Sequence, residues 1–564
     1  MKRRIFFVFT VLILISVVFL FFRKSEDIAF INGKIYTVET DSPWVEAILI
    51  EDGKISELGT NDLVLQRKKK STRLIDLKGK MVLPGFHDSH VHVLEGGFAL
   101  GLCNLNSLKS IEEYKEKIKE CTKTQTSKKW ITGFGWKLSL FPNGNPSKEI
   151  IDSVISDKPV GFVCNDGHSY WVNSKALEIA NITKDTPDPN DGRIERDVSG
   201  NPTGTLRDGA MELIRPYAFD PSTLDALKGL EDGVSLANQF GITSFIDART
   251  ILADKYDLLY RLAEFLGRLN ARVTLALYLD PQKGQTQIQD LIAKFDGSIE
   301  GRVKADQIKI FMDGVTEART AALFEPYEND KSNRGILTFS PELLNSYVMD
   351  LAKAGFQMHI HAIGDRAVRE GLNSLENIHR ITLEKQLRHH LVHLYLISPK
   401  DIPRFREMNI TANIQPFWAS NADWNQSNLE NLGKERYFSM FPFKSLSENG
   451  TRIAAGTDWP VDILNPLEEI QVAITRRDIG QDNKYLPLNE KQALDLKNML
   501  EAYTINGAYL QRRETITGSL KKGKYADLVI LDKNLFEISP YEIHKVKVIA
   551  TLLEGKFVYN VLGE

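Results

Sequence analysis

The sequence predicts an α/β protein: a TIM-like (β/α)8 barrel, with a small β-sandwich domain formed from both chain ends and a long insertion after the first barrel strand. Three observations carry that prediction. Eight strand-like runs alternate with helical stretches through the middle of the chain, both ends are rich in short β-prone runs, and residues from about 96 to 225 are far too many for one helix between two strands.

Taken in chain order, the first element is a membrane segment. Lys2, Arg3 and Arg4 precede an uncharged apolar run from Ile5 to Phe22, 18 residues long, and Arg23 and Lys24 follow it. Such a run just spans a hydrocarbon core as a helix. Its end offers no small-residue cleavage site, so residues 1–26 are expected to be an uncleaved signal anchor, with secretion after cleavage as the alternative. The charge bias places the rest of the chain outside the cytoplasm.

Residues 27–84 and 516–564 supply the sandwich. Ala29-Phe-Ile-Asn-Gly-Lys-Ile-Tyr and Ala47-Ile-Leu-Ile-Glu-Asp-Gly-Lys-Ile each hold a turn dipeptide, Asn32-Gly33 and Asp52-Gly53, between β-prone runs, which predicts hairpins. Ala526-Asp-Leu-Val-Ile-Leu, Val546-Lys-Val-Ile-Ala-Thr-Leu-Leu and Lys556-Phe-Val-Tyr repeat that character at the other end, with Glu554-Gly555 at a turn.

Residues 85–515 hold the barrel. Its candidate strands are Phe86 to His92, Ile242 to Asp247, Arg272 to Tyr278, Gln307 to Asp313, Phe356 to His361, His389 to Leu394, Ile410 to Gln415 and Arg452 to Thr457. Amphipathic helices precede several of them, among them Ser346 to Gly355 before the fifth. A doubly wound open sheet would give the same coarse alternation. The insertion, about 96–225, is expected to build a lid or substrate pocket, because loops at the C-terminal face of such a barrel form the active site.

The composition narrows the function. A net charge of -3 and a pI near 6.5 provide no basic stripe, so no nucleic-acid partner is expected and a small neutral substrate fits better. Cys103, Cys121 and Cys164 are the only cysteines. They read as ordinary partly buried residues rather than a disulfide framework, and any metal must use nitrogen and oxygen ligands.

The chemistry-bearing residues stand at strand ends. In Gly85-Phe-His-Asp-Ser-His-Val-His, His90 and His92 are two residues apart and share one side of a strand, where two imidazoles can chelate one divalent metal. Lys309 lies in an apolar strand where a lone ammonium is costly to desolvate, and His361, His393 and Asp458 end the fifth, sixth and eighth strands. Each alone has an ordinary structural reading. Their joint placement at the C-terminal ends of barrel strands is the argument for a metal site.

Several runs resemble the amidohydrolase superfamily, and specifically its amidohydrolase family 3 branch of YtcJ-like and N-substituted formamide deformylase-like proteins. They are His87-Asp-Ser-His-Val-His; Lys309-Ile-Phe-Met-Asp-Gly with Arg319-Thr-Ala; His361-Ala-Ile-Gly-Asp-Arg-Ala; Gly456-Thr-Asp-Trp-Pro-Val; and Gly518-Ser-Leu-Lys-Lys-Gly-Lys-Tyr-Ala-Asp-Leu-Val. The resemblance covers nearly all of 28–564, with the motifs in the family's order. It implies a divalent metal site, often binuclear zinc, in which His90 and His92 hold one ion, His361 and His393 hold a second, Lys309 bridges them as a carbamate and Asp458 is the last ligand and proton shuttle. With Lys309 unmodified, one ion is expected.

The implied reaction is hydrolysis of a carbon–nitrogen bond other than a peptide bond, in an N-formyl, N-acyl or cyclic amide, by a metal-activated hydroxide. Deamination of a heterocycle is the alternative within enzymes, and a membrane-anchored binding protein with a decayed site the alternative outside them. Partners are thus a small amide-like molecule and the membrane through the N-terminal helix, with a homo-oligomer left open. Asp88 either fixes an imidazole tautomer or is structural. His168, in Asn165-Asp-Gly-His-Ser-Tyr-Trp-Val-Asn-Ser-Lys-Ala-Leu, matches a motif of the branch and either contacts substrate or sits on a surface turn. Trp136, Trp171, Trp418 and Trp459 line a pocket or fill the core. His359 and His390 end no strand and receive no role. The branch commonly has Arg-Ile-Glu-His where this chain has His390-Leu391-Val392-His393, and the residue at 392 is expected to face away from His393.

Overall fold

A computed structural model describes residues 26–562 except 107, 126–128, 166, 190, 219–222, 252–254 and 481–485. Eight parallel strands form the barrel: β1 (Phe86–Val91), β2 (Ile242–Thr250), β3 (Arg272–Tyr278), β4 (Val303–Phe311), β5 (Gln357–Ala362), β6 (His390–His393), β7 (Thr411–Ile414) and β8 (Ile453–Ala455), each hydrogen-bonded to the next in chain order. All eight expected strands are present. Beyond the ends of β8 and β1 the ring is joined by two backbone bonds, Asp458 N–H to the His90 carbonyl at 2.7 Å and His92 N–H to the Trp459 carbonyl at 2.8 Å. The open-sheet alternative is thereby removed.

The helices pack as their sequence dictates. Helix Pro341–Ala354 begins with Ser340, whose side chain accepts the Leu343 N–H, and ends at Gly355, whose φ of 108° suits glycine. Leu344, Tyr347, Val348, Leu351 and Ala352 follow the helical period and are buried on the barrel side. Helices Val93–Ala99 and Thr223–Gln239, which flank the insertion, cross at glycines. A Cβ on Gly97 would stand 1.9 Å from the Gly229 carbonyl oxygen, so no larger residue fits that crossing.

The two chain ends build the sandwich. Strands Ile28–Ile31, Ala47–Glu51, Lys54–Gly59 and Arg73–Asp76 form one sheet, and Lys34–Tyr36, Trp44–Val45 and Met81–Pro84 join Leu528–Leu531, Val548–Leu553 and Lys556–Asn560 in the other. Phe30, Ile48, Ile50, Val82, Leu528, Ile530 and Leu552 fill the space between them. Asp52-Gly53 and Glu554-Gly555 make hairpins with φ positive at both residues, as a type I′ turn requires. Asn32-Gly33 does not. Asn32 has φ 55° but Gly33 is not left-handed, and the chain steps there from one sheet to the other instead of turning back.

The insertion carries its own six-stranded sheet, from Cys103–Asn104 to Pro202–Asp208, over a core that includes Trp136, Trp171, Tyr114 and Phe162. Here the cysteine expectation fails: Cys103 and Cys121 form a disulfide that ties the sheet's edge strand to helix Ile111–Thr124, and Cys164 takes no part in a disulfide. Spacing alone does not reveal that a strand and a helix bring the two sulfurs together. Among the described residues no helix is long and apolar enough to cross a membrane, and the expected anchor Ile5 to Phe22 lies outside them.

Candidate metal centre

At the C-terminal mouth of the barrel, His90, His393 and Asp458 each turn one ligand atom into a space where all three lie within 4.8 Å of one another, and all three are buried. The Asp458 Oδ1 is 3.3 Å from His90 Nε2 and 3.1 Å from His92 Nε2, and its Oδ2 is 3.8 Å from His393 Nδ1. His393 (φ 75°) and Asp458 (φ 57°) are both left-handed, a conformation that costs a residue with a Cβ about 1–2 kcal/mol. The bend takes each residue out of strand geometry as it enters the mouth.

The other expected ligands stand around this group. Lys309 Nζ is 3.5 Å from His90 Nε2 and 4.5 Å from the Phe311 ring centre. The His361 ring is 4.5 Å from that of His393, but its Nε2 donates to the Gly314 carbonyl at 3.2 Å, which holds it outside the tight group.

Burial dominates the electrostatics. It pushes the His90 imidazole down to about 3 and, with Arg249 adding, the Lys309 amine down to about 7. For Asp458 burial acts the other way, yet the imidazoles of His90 and His92 outweigh it and hold the carboxylate well below its usual range. His92 is raised despite burial because it bonds Asp458, so His92 is the imidazole that shares its proton with the carboxylate. The His393 Nδ1 and His92 Nδ1 atoms are buried and make no hydrogen bond to a described residue. Such atoms are expensive to leave unsatisfied, and a set of imidazole nitrogens with one carboxylate oxygen suits zinc and similar divalent cations. The residues therefore fit a metal ion.

Of two neighbours, Asp88 takes the structural of its two readings and Val392 departs from its expected direction. Asp88 touches no imidazole: its Oδ1 accepts the backbone N–H groups of His90 and Thr457 at 3.1 Å each, and its Oδ2 accepts the Thr457 hydroxyl at 2.6 Å, which ties β1 to the segment after β8. Val392 does not face away from the centre. It is fully buried and pairs in register with His361 of β5, so it shares that residue's inward side, while the bend at His393 breaks the strand alternation on which the expectation rested.

His168 stands on the insertion where its hairpin meets the barrel. Its Nδ1 lies 2.7 Å from Asp208 Oδ1, and its ring is 5.8 Å from that of His361. Trp418 stacks on His393 at 5.3 Å and donates to Asp462, whose carboxyl burial pushes up to about 7; Trp136 and Trp171 belong to the insertion core, and Trp459 is packed against Gly96. The sequence reading missed Asp313, whose carboxylate gathers the N–H groups of Ala322, Ile363 and Gly364 and so braces the loop after β5. It also missed His359, 2.7 Å from His90, which its alternation with His361 along β5 could have nominated.

Known proteins share this architecture. The profile of the Amidohydrolase family matches residues 73–559. Protein LONG AFTER FAR-RED 3 of Arabidopsis thaliana is 30% identical over 94% of this chain and 91% of its own length. N-substituted formamide deformylase of Arthrobacter pascens is 25% identical over 96% and 99%. The crystal structure of an uncharacterized metal-dependent hydrolase from Pyrococcus horikoshii superposes with a TM-score of 0.73 at 26% identity, covering 91% of this chain and 99% of that one.

Proposed function

The chain belongs to the amidohydrolase family, and from that premise we propose that it hydrolyses a carbon–nitrogen bond other than a peptide bond in a small N-formyl, N-acyl or cyclic amide. The observation that carries the proposal is the buried His90–His393–Asp458 group at the barrel mouth, with His92 bonded to the same carboxylate. The name of the Arthrobacter relative favours the formamide end of that range.

The family is metal-dependent, and we assign zinc, as one or two ions, to His90, His92, His361, His393 and Asp458. When bound, a divalent cation supplies Lewis acidity, which acidifies water and polarises a carbonyl. As a carbamate, Lys309 would add an anionic oxygen to that ligand set. Support comes from its amine, pushed down to about 7 and thus neutral often enough to add to carbon dioxide with release of a proton. Asp458 takes the proton of the attacking water and passes it to the leaving nitrogen. His168, held by Asp208, contacts the substrate from the insertion, and Trp418 closes the side of the site behind His393.

We place this catalytic domain outside the cytoplasm, tethered by Ile5 to Phe22. The Cys103–Cys121 disulfide supports that placement, because such bonds persist in oxidising compartments.

Elemental analysis of the zinc-reconstituted, full-length chain, followed by a panel of N-formyl amines, N-acyl amines and cyclic amides, tests the proposal. At least one equivalent of metal and release of an amine are expected. Less than one equivalent would sink it, and ammonia from a heterocycle without amide cleavage would replace it by a deaminase.

A further inference from the structure

Beneath His90, away from the mouth, three side chains make a chain of hydrogen bonds that runs in one direction. Gln307 on β4 donates its Nε2 to the backbone carbonyl of Leu510 at 3.0 Å. Its Oε1 lies 3.4 Å from His359 Nδ1, and His359 Nε2 lies 2.7 Å from His90 Nδ1. All three side chains are fully or almost fully buried.

The direction follows from chemistry. A backbone carbonyl can only accept, so the Gln307 amide must turn its NH2 to Leu510 and its oxygen to His359. Reversing the amide would set two oxygens against each other at 3.0 Å. An amide oxygen can only accept as well, so His359 must carry its proton on Nδ1. His359 is fully buried between the rings of His90 and His390, where a charged imidazole would be costly to desolvate, so the ring is neutral and has a single N–H. Its Nε2 is therefore an acceptor, and the proton between the two rings belongs to His90 Nδ1. His90 is left with a bare Nε2, the atom that points to Asp458 and Lys309.

We infer that Gln307 and His359 are positioning residues that hold His90 in the tautomer whose Nε2 lone pair faces the metal site. The inference rests on the reading of His90 as a metal ligand. Without the relay both tautomers of His90 are open, and one of them points an N–H at the cation. Outer partners of metal-bound histidines of this kind typically contribute 10–100-fold to metal affinity. His390, whose ring is 4.3 Å from that of His359, meets it edge to face and does not compete for its protons.

The test is a Co2+ titration of the metal-free, full-length chain, read by visible absorption and by competition with a chelator, with thermal unfolding of each metal-free variant as the folding control. Gln307→Glu and Gln307→Lys bury comparable groups but differ in direction. A protonated Glu can still donate to Leu510 and accept from His359, whereas Lys can only donate. Gln307→Glu is expected to stay within a few-fold of wild type, and Gln307→Lys and His359→Phe to bind about 10–100-fold more weakly. His359→Gln, which keeps an acceptor for His90, should recover part of the loss.

Equal losses for Glu and Lys at 307, or wild-type affinity in folded His359→Phe, would overturn the relay while leaving the hydrolase reading intact. A wild-type chain that binds no Co2+ would overturn both.

Discussion

His389 immediately precedes β6, with its Nδ1 accepting the Met358 N–H at 2.9 Å and its Nε2 2.9 Å from the Thr382 hydroxyl. Burial pushes this imidazole down to about 3, against an ordinary value of about 6.5 in an unfolded chain. Between those two values the unfolded state binds a proton that the folded state refuses, so stability is lost as the pH falls through that window and is constant above it, with a slope of up to about 1.4 kcal/mol per pH unit. Urea unfolding of metal-free His389→Gln at pH 6, 5 and 4 should give a shallower pH dependence than wild type; parallel curves would refute the neutral ring. At this scale the sequence was a good guide to which residues meet and a poor one to how they bond. His90, His92, His361, His393 and Asp458 could be read from strand ends, because period-two geometry brings them to one mouth. The partner of His90 could be nominated but not fixed: alternation with His361 puts His359 on the same side of β5, whereas which residue there lies level with His90 is set by barrel stagger.

Elements were legible where periodicity governs and illegible where chain crossings do. The eight barrel strands and the β-rich ends follow from hydrophobic pattern, whereas Asn32-Gly33 looks like a hairpin and is a sheet crossover, since local turn chemistry does not say which sheet the next strand joins. The Cys103–Cys121 bond belongs to this scale too, because it fixes an edge strand of the insertion to a helix 18 residues on. Closing a loop of that size stabilises a fold by about 3 kcal/mol. Replacing both cysteines by serine should therefore lower the unfolding midpoint and expose the insertion to protease first, while Co2+ affinity at the barrel mouth stays unchanged. A loss of metal affinity instead would mean that the insertion props the centre open.

Across the whole molecule, the sandwich and the barrel are joined by buried charge. Arg272 of β3 bonds Asp527 at 3.0 Å and Glu554 at 2.9 Å, with Arg272 and Asp527 almost fully buried, and Arg302 reaches the same Glu554 at 2.8 Å. Removing one partner leaves a desolvated guanidinium, which costs about 3–5 kcal/mol. Asp527→Ala should lose that much in chemical unfolding and Asp527→Asn somewhat less; loss of under about 1 kcal/mol from either would show the pair to be solvated.

The seam that closes the barrel also sets a schedule. Thr457 and Asp88, the residues that clasp there, are 369 residues apart in the chain. At ribosomal speeds of about 5–20 residues per second, His90 leaves the ribosome on the order of twenty to seventy seconds before Asp458 exists. No nascent chain that ends before Asp458 holds the full ligand set, so for most of its synthesis the protein cannot close the centre around a metal ion. The choice of ion thus falls late, in the compartment where the last strand finds the first.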